Sequence, residues 1–124
     1  MTNHLNKDAI RRFFDEVWAK GNLAVIEEVY HPDFVDHDPN GPSVGTRALR
    51  HAIETYRNEL PDLRFIIEDL LAEGDKVITR WRARATRHGK AIDITGIRID
   101  RFENGKIAEE WENWDALGYQ RQSG

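Results

Sequence analysis

The sequence predicts an α+β fold, a curled antiparallel sheet packed against about three N-terminal helices, on three observations. Apolar residues recur at helical spacing before Pro61, and long strand-like runs follow it. The links between those runs are short, which suits antiparallel neighbours and is too short for parallel crossovers. One link carries Asn104-Gly105, a pair that tolerates the positive φ of a two-residue hairpin turn.

Ile10, Phe13, Phe14, Val17 and Trp18 form the apolar stripe of a first helix, with Asn6 as its expected N-cap and Gly21 as its stop. Leu23 to Tyr30 continues as a short second helix, broken by His31-Pro32-Asp33. Phe34 to Asp38 reads as a short extended piece, and Pro39-Asn40-Gly41-Pro42 as a loop. Thr46 is placed to cap a third helix with Leu49, Ala52, Ile53, Tyr56 and Leu60 on one side, and Pro61 ends it. Leu63–Ala72, Val77–Thr86, Ala91–Phe102 and Ile107–Trp114 are four expected strands of a meander. No linker, repeat or low-complexity segment interrupts residues 1–124, which are read as one domain.

The last hairpin points to chemistry. With Asn104 and Gly105 as the loop, regular pairing sets Ile99 opposite Glu110 and Ile97 opposite Glu112. The expected inner face is then Ile97, Ile99, Arg101, Ala108, Glu110, Glu112 and Trp114. Arg98, Asp100, Glu109, Trp111 and Asn113 take the other side. Strand alternation puts Glu110 and Glu112 on one face, and a slip of one residue would move both into water. A carboxylate on an apolar face is costly unless partnered or neutral. Beside Ile97, Ile99 and Trp114, desolvation would raise the pKa of Glu112, and Glu110 would raise it further. A structural ion pair with Arg101 is the competing reading.

Composition excludes several classes. The 124 residues carry a net charge of -4, with charges of both signs mixed along the chain, and no clustered basic face suggests nucleic acid. There is no cysteine, hence no thiol nucleophile and no disulfide framework. No run approaches the ~18 apolar residues of a membrane span. The first residues lack the basic-then-apolar order of a signal peptide, so a cytoplasmic location is expected. His31, Asp33, Asp36, His37 and Asp38 are metal-ligating types, but their spacing through Pro32 and Pro39 reads as turn chemistry. Neither a metal nor a cofactor is expected. Arg80, Arg82 and Arg84 share one strand face. They are expected on the outer side, paired with acids such as Asp69, which faces Arg80 across a Gly74-Asp75 turn, although they could hold an anion.

Several motifs in this order resemble one family. They are Phe13-Phe14…Trp18, Phe34-Val35-Asp36-His37, Pro61-Asp62-Leu63, Trp81, and Arg101-Phe102-Glu103-Asn104-Gly105-Lys106-Ile107-Ala108-Glu109-Glu110-Trp111. Together they resemble the SnoaL-like polyketide cyclases of the nuclear-transport-factor-like fold. The resemblance covers nearly the whole chain, and its motifs are more specific for the fold than for the reaction. It implies a cone whose cavity performs cofactor-free acid–base chemistry on a small hydrophobic carbonyl compound, by an enolate or aldol-type cyclisation or isomerisation. It also implies a dimer formed through the outer sheet face.

The family's acid/base is an aspartate just after the tryptophan of the last strand, and that position is Glu112 here. Glu110 stands where histidine is common, and His37 matches a histidine after the short early strand. Thr86-Arg87-His88-Gly89 stands where the family has a longer loop. On this reading Glu112, Glu110 and His37 are the catalytic candidates. Trp81, Trp114, Tyr56, Phe13, Ile97 and Ile99 are the candidate substrate-binding wall. The competing expectations are a ligand-binding or protein-association module, and an epoxide or ester hydrolase on the same scaffold.

Overall fold

The computed structural model describes residues 2–124. A first helix α1 (Thr2–Arg12) runs on into a wider π-helical stretch, Phe13–Ala19. A 3-10 turn, Leu23–Val25, leads into α2 (Ile26–Val29). A hairpin of β1 (Tyr30–Asp38) and β2 (Gly41–Val44) follows, then α3 (Arg47–Glu59). Four long strands come next: β3 (Arg64–Glu73), β4 (Lys76–Arg87), β5 (Lys90–Glu103) and β6 (Lys106–Trp114). A last helix, α4 (Ala116–Ser123), ends the chain.

The six strands form one sheet in the order β2-β1-β6-β5-β4-β3. β3 to β6 are the expected antiparallel meander. The short early strand adds to it in the opposite sense, β1 lying parallel to β6. The helices cover the inner face, where Ile10, Phe13, Val17, Ile26 and Ile53 are fully buried against Val77, Trp81, Ile92 and Phe102. Burial of this kind contributes about 25 cal/mol per Å² of apolar surface and holds the cone closed.

Several local expectations change. Asn6 is not a cap but sits within α1, and it is buried. Tyr30 opens β1 instead of closing the second helix. Pro42 and Gly41, expected in a loop, belong to β2. Thr46 occupies the N-cap position of α3, yet its hydroxyl donates to Glu27 (3.3 Å) and not to the helix backbone. α4 was not expected; Asp115 caps it by accepting from the Gly118 N–H (2.8 Å). Gly21 does stop the first helix, at φ +76°, and the Arg57 guanidinium fills the space a side chain there would need. Arg57 also donates to the carbonyls of Trp18 (2.9 Å) and Ala19 (3.3 Å), satisfying the open end of the π-helical stretch.

The largest correction is one of register. Phe102 pairs with Ile107, but the next pair is Arg101 with Glu109, so Ala108 has no partner and β6 bulges. Beyond the bulge Asp100 faces Glu110, Arg98 faces Glu112 and Gly96 faces Trp114. Ile97 and Ile99 therefore pair with Asn113 and Trp111 on the outer face, and Ile97 is 48% exposed. Arg98 and Asp100 turn inward and are buried.

The outer face carries an ionic ladder. Arg80 donates to Asp69 (2.6 Å), its cross-strand partner as expected, and Arg82 donates to Asp93 (2.7 Å). His31, Asp33, Asp36 and His37 do not converge. The His31 Nδ1 accepts from the Asp33 N–H (3.2 Å), while Asp36 and His37 leave opposite faces of β1.

Candidate functional site

Beneath the helices lies a cavity of about 470 Å³. Its apolar walls come from Phe14, Trp18, Tyr56, Phe65, Trp81 and Trp114, and its polar end from Asp36, Arg98, Glu110 and Glu112. A more open groove of about 850 Å³ runs along the free edge of β3, and none of the sequence-predicted site residues lines it.

Each cavity carboxyl is delivered by strand alternation. On β6, Glu110, Glu112 and Trp114 point inward because the bulge at Ala108 resets the phase. On β1, Phe34 is buried in the core, so Asp36 shares its face and His37 takes the opposite one. The parallel pairing then sets Asp36 beside Glu110 and His37 beside Trp111.

Glu110 is locked. Its Oε1 accepts from Tyr30 Oη (2.8 Å) and from Arg98 Nη2 (2.7 Å). Arg98 also holds Asp100 in a fork, Nε to Oδ2 at 2.8 Å and Nη2 to Oδ1 at 3.0 Å. Its guanidinium lies 5.0 Å from the ring centre of Phe13 and 5.6 Å from that of Phe14. The wide turn of the π-helical stretch presents these consecutive phenylalanines, a cation–π contact in a dry site. Burial alone would pull the proton off Arg98, but Asp100 and Glu110 outweigh it and the guanidinium is held charged. Burial pushes Asp100 well above the usual carboxylate range, against the pull of Arg98. Burial likewise keeps the Tyr30 phenol protonated.

Glu112 is bound differently. It is half-buried, and its Oε2 accepts from the Trp81 indole N–H at 3.0 Å. Among the described residues this is its one hydrogen bond, and no ion pair reaches it. Burial raises its pKa to about 7; Arg98 opposes the rise and Glu110 adds to it. Asp36 is raised to about 6, first by burial and then by Glu110 and Asp38. The cavity thus holds two carboxyls that change protonation near neutrality, beside a third fixed by a buried cation. Such a set can take a proton at one point and give one at another.

The cavity brings together Glu112, Glu110, Trp81, Trp114, Tyr56 and Phe13. The structure does not bring His37, Ile97 or Ile99 to it. His37 lies on the outer face, stacked on Trp111 (ring centres 4.9 Å apart) with Nε2 2.8 Å from Glu109 Oε2. The isoleucines are outside because β5 alternates without a break and its inner positions are Ile92, Ile94, Arg98, Asp100 and Phe102. Arg101, the expected structural partner of Glu112, pairs instead with Glu109 (2.6 Å). Sequence reasoning missed Asp36, Arg98, Asp100 and Tyr30. Phe34, apolar and two residues before Asp36, was the available signal for Asp36.

A model of the SnoaL-like polyketide cyclase family matches residues 8–123. No curated protein sequence matches the chain. Among solved structures, a candidate polyketide cyclase from Bacillus cereus is 36% identical, with a TM-score of 0.85 over 94% of this chain and 78% of the other. A second candidate polyketide cyclase, from Acidithiobacillus ferrooxidans, is 28% identical, with a TM-score of 0.83 over 97% of this chain and 96% of the other. AclR of Streptomyces galilaeus, described as a candidate hydroxylase, is 20% identical with a TM-score of 0.83, over 96% of this chain and 95% of the other, a likeness of fold.

Proposed function

Since the chain belongs to the SnoaL-like polyketide cyclase family, we propose that its cavity performs acid–base chemistry on a small hydrophobic carbonyl compound, with Glu112 as the base. The observation that carries this reading is the state of Glu112: half-buried, on the cavity wall, without an ion pair among the described residues, and with a pKa raised to about 7. A general base works best when its pKa lies near the working pH.

In the proposed step the Glu112 carboxylate removes a proton from a carbon next to a carbonyl. The C–H electron pair becomes the enolate, and its charge moves to the carbonyl oxygen. The Arg98 guanidinium lines the same cavity end and favours that oxygen as it gains charge. The enolate carbon then attacks a second carbonyl within the same molecule, or is reprotonated in a new position. The first outcome is cyclisation and the second isomerisation. Trp81, Trp114 and Tyr56 offer flat walls to a hydrophobic body. Glu110, tied to Arg98 and Tyr30, positions the guanidinium at the cavity end. His37, outside the cavity, has no part.

The test is carbon-bound hydrogen exchange. A panel of cyclic and linear ketones and β-dicarbonyl compounds is incubated with the protein in D₂O and followed by NMR. A substrate of the proposed kind loses its acidic hydrogens faster with the protein present. Glu112→Gln is expected to lower that rate by about 10²–10⁴-fold while leaving ligand binding intact. Exchange that is equally fast in the variant sinks the role of Glu112.

Hydrolysis of an epoxide or ester is the second reading, favoured by one observation: Arg98 gathers two carboxyls and the Tyr30 phenol around a single guanidinium. Such a set can orient water. It ranks second because Asp100 and Tyr30 are sealed from solvent, leaving only Glu110 and Arg98 on the cavity wall.

A further inference from the structure

Three residues lie side by side across the sheet: Trp81 on β4, Gly96 on β5 and Trp114 on β6. Gly96 is not required by its backbone, which is ordinary extended strand with no positive φ. It is required by space. A Cβ at this position would lie 2.2 Å from Cζ2 and 2.5 Å from Cε2 of Trp81. The indole therefore lies across the bare backbone of Gly96. Phe65 confines it from the neighbouring strand, with ring centres 5.2 Å apart at 68°. Trp81 is 4% exposed, and its one polar atom ends 3.0 Å from Glu112 Oε2.

We propose that Gly96 and Trp81 act as a positioning pair that dedicates Oε2 of Glu112 to the indole and leaves Oε1 as the oxygen that exchanges its proton with a ligand. The argument rests on donor chemistry. An indole N–H donates and never accepts. Oε2 therefore acts as an acceptor whether Glu112 is ionised or neutral, and because a carbonyl oxygen accepts better than a hydroxyl oxygen, the proton of the neutral acid is favoured on Oε1. A carboxyl without this clamp could carry its proton on either oxygen. The same hydrogen bond favours the ionised form, so it offsets part of the rise in proton affinity that burial imposes. The pair thus sets both which atom reacts and the pH at which it does so. Trp81 becomes a positioning residue as well as a wall.

This inference deepens the acid–base reading and rests on Glu112 being its base, but its test needs no turnover. Carbon-13 NMR of the side-chain carboxyls follows the titration of Glu112, with Glu112→Gln assigning the resonance. Trp81→Phe keeps an aromatic ring and removes the donor. It should raise the midpoint of Glu112 by about one pH unit, a tenfold gain in proton affinity. Gly96→Ala, which displaces the indole, should raise it in the same direction, and the double variant should go no further than Trp81→Phe alone.

Should Gly96→Ala not fold, the wild-type Trp81 indole N–H resonance supplies the second measurement. It should shift with the Glu112 midpoint and stay flat in Glu112→Gln. An unchanged midpoint in folded Trp81→Phe overturns the proposal, as does an indole resonance indifferent to Glu112. If the midpoint moves as expected but hydrogen exchange is insensitive to Glu112→Gln, the clamp stands and the catalytic reading fails.

Discussion

Glu109 and Glu112 stand on the same strand, on opposite faces of the sheet, and their chemistry diverges accordingly. On the outer face Glu109 accepts hydrogen bonds from His37 and Arg101, and these hold its pKa below the ordinary value. On the inner face Glu112 meets an indole and a desolvating wall, and its pKa rises to about 7. The neighbouring residues repeat the contrast. The outer arginines pair in water with Asp69 and Asp93, whereas Arg98 pairs with Asp100 and Glu110 at 3% exposure or less. Solvation, more than residue type, separates the two faces. An exposed pair is partly replaced by water when broken, and a buried one is not.

The contrast can be broken most severely at Arg98. Arg98→Ala leaves Asp100 and Glu110 buried without their cation, and is expected to lower stability by about 3–5 kcal/mol at neutral pH in chemical denaturation. The loss should shrink in acid, where buried carboxyls can be neutral. An equal loss at every pH would mean that packing, not charge, is what Arg98 supplies.

A smaller effect distinguishes Glu112 by pH. Its folded pKa, about 7, lies above the ordinary 4.5, so between those values the native state holds a proton that the unfolded chain has released. Stability from this group is therefore full below about pH 4.5 and falls by about 1.4 kcal/mol per pH unit as pH rises to 7. Glu112→Gln should remove that slope and leave the protein more resistant to denaturant than wild type at pH 8. A denaturation series from pH 4.5 to 8 checks both statements, and parallel curves for the two proteins would contradict them.

The smallest effect belongs to the outer face. Arg82→Ala breaks the exposed pair with Asp93 and should scarcely move the denaturation midpoint, with any change vanishing in high salt. A loss comparable to that of Arg98→Ala would remove the distinction between the faces.

The four long strands and their turns could be read from the sequence, because alternation and Asn104-Gly105 are local signals, and so could the fact that Glu110 and Glu112 share a face, though not which face. The partners of those glutamates could not. Ala108 is an ordinary strand residue, and nothing in its identity announces a bulge, yet that one unpaired residue exchanges Ile97 and Ile99 for Arg98 and Asp100. Likewise His37 was placed by resemblance, while Phe34 already implied that Asp36 shares the buried face. The Trp81 clamp was out of reach for another reason. It depends on Gly96 lying next to Trp81 across two strands, a spatial fact with no linear spacing.

The parallel pairing of β1 with β6 also bears on how the chain is made. The meander closes between strands that follow one another, whereas the Tyr30 to Glu110 hydrogen bond joins residues 80 apart. Long closures of this kind come late, because chain entropy opposes them until the intervening structure exists. During synthesis β1 must wait for the last strand to emerge. The acid–arginine cluster of β5 and β6, whose partner Tyr30 comes from β1, therefore stays hydrated until the final docking event. Its charges are withdrawn from water only when every one of their partners is already at hand.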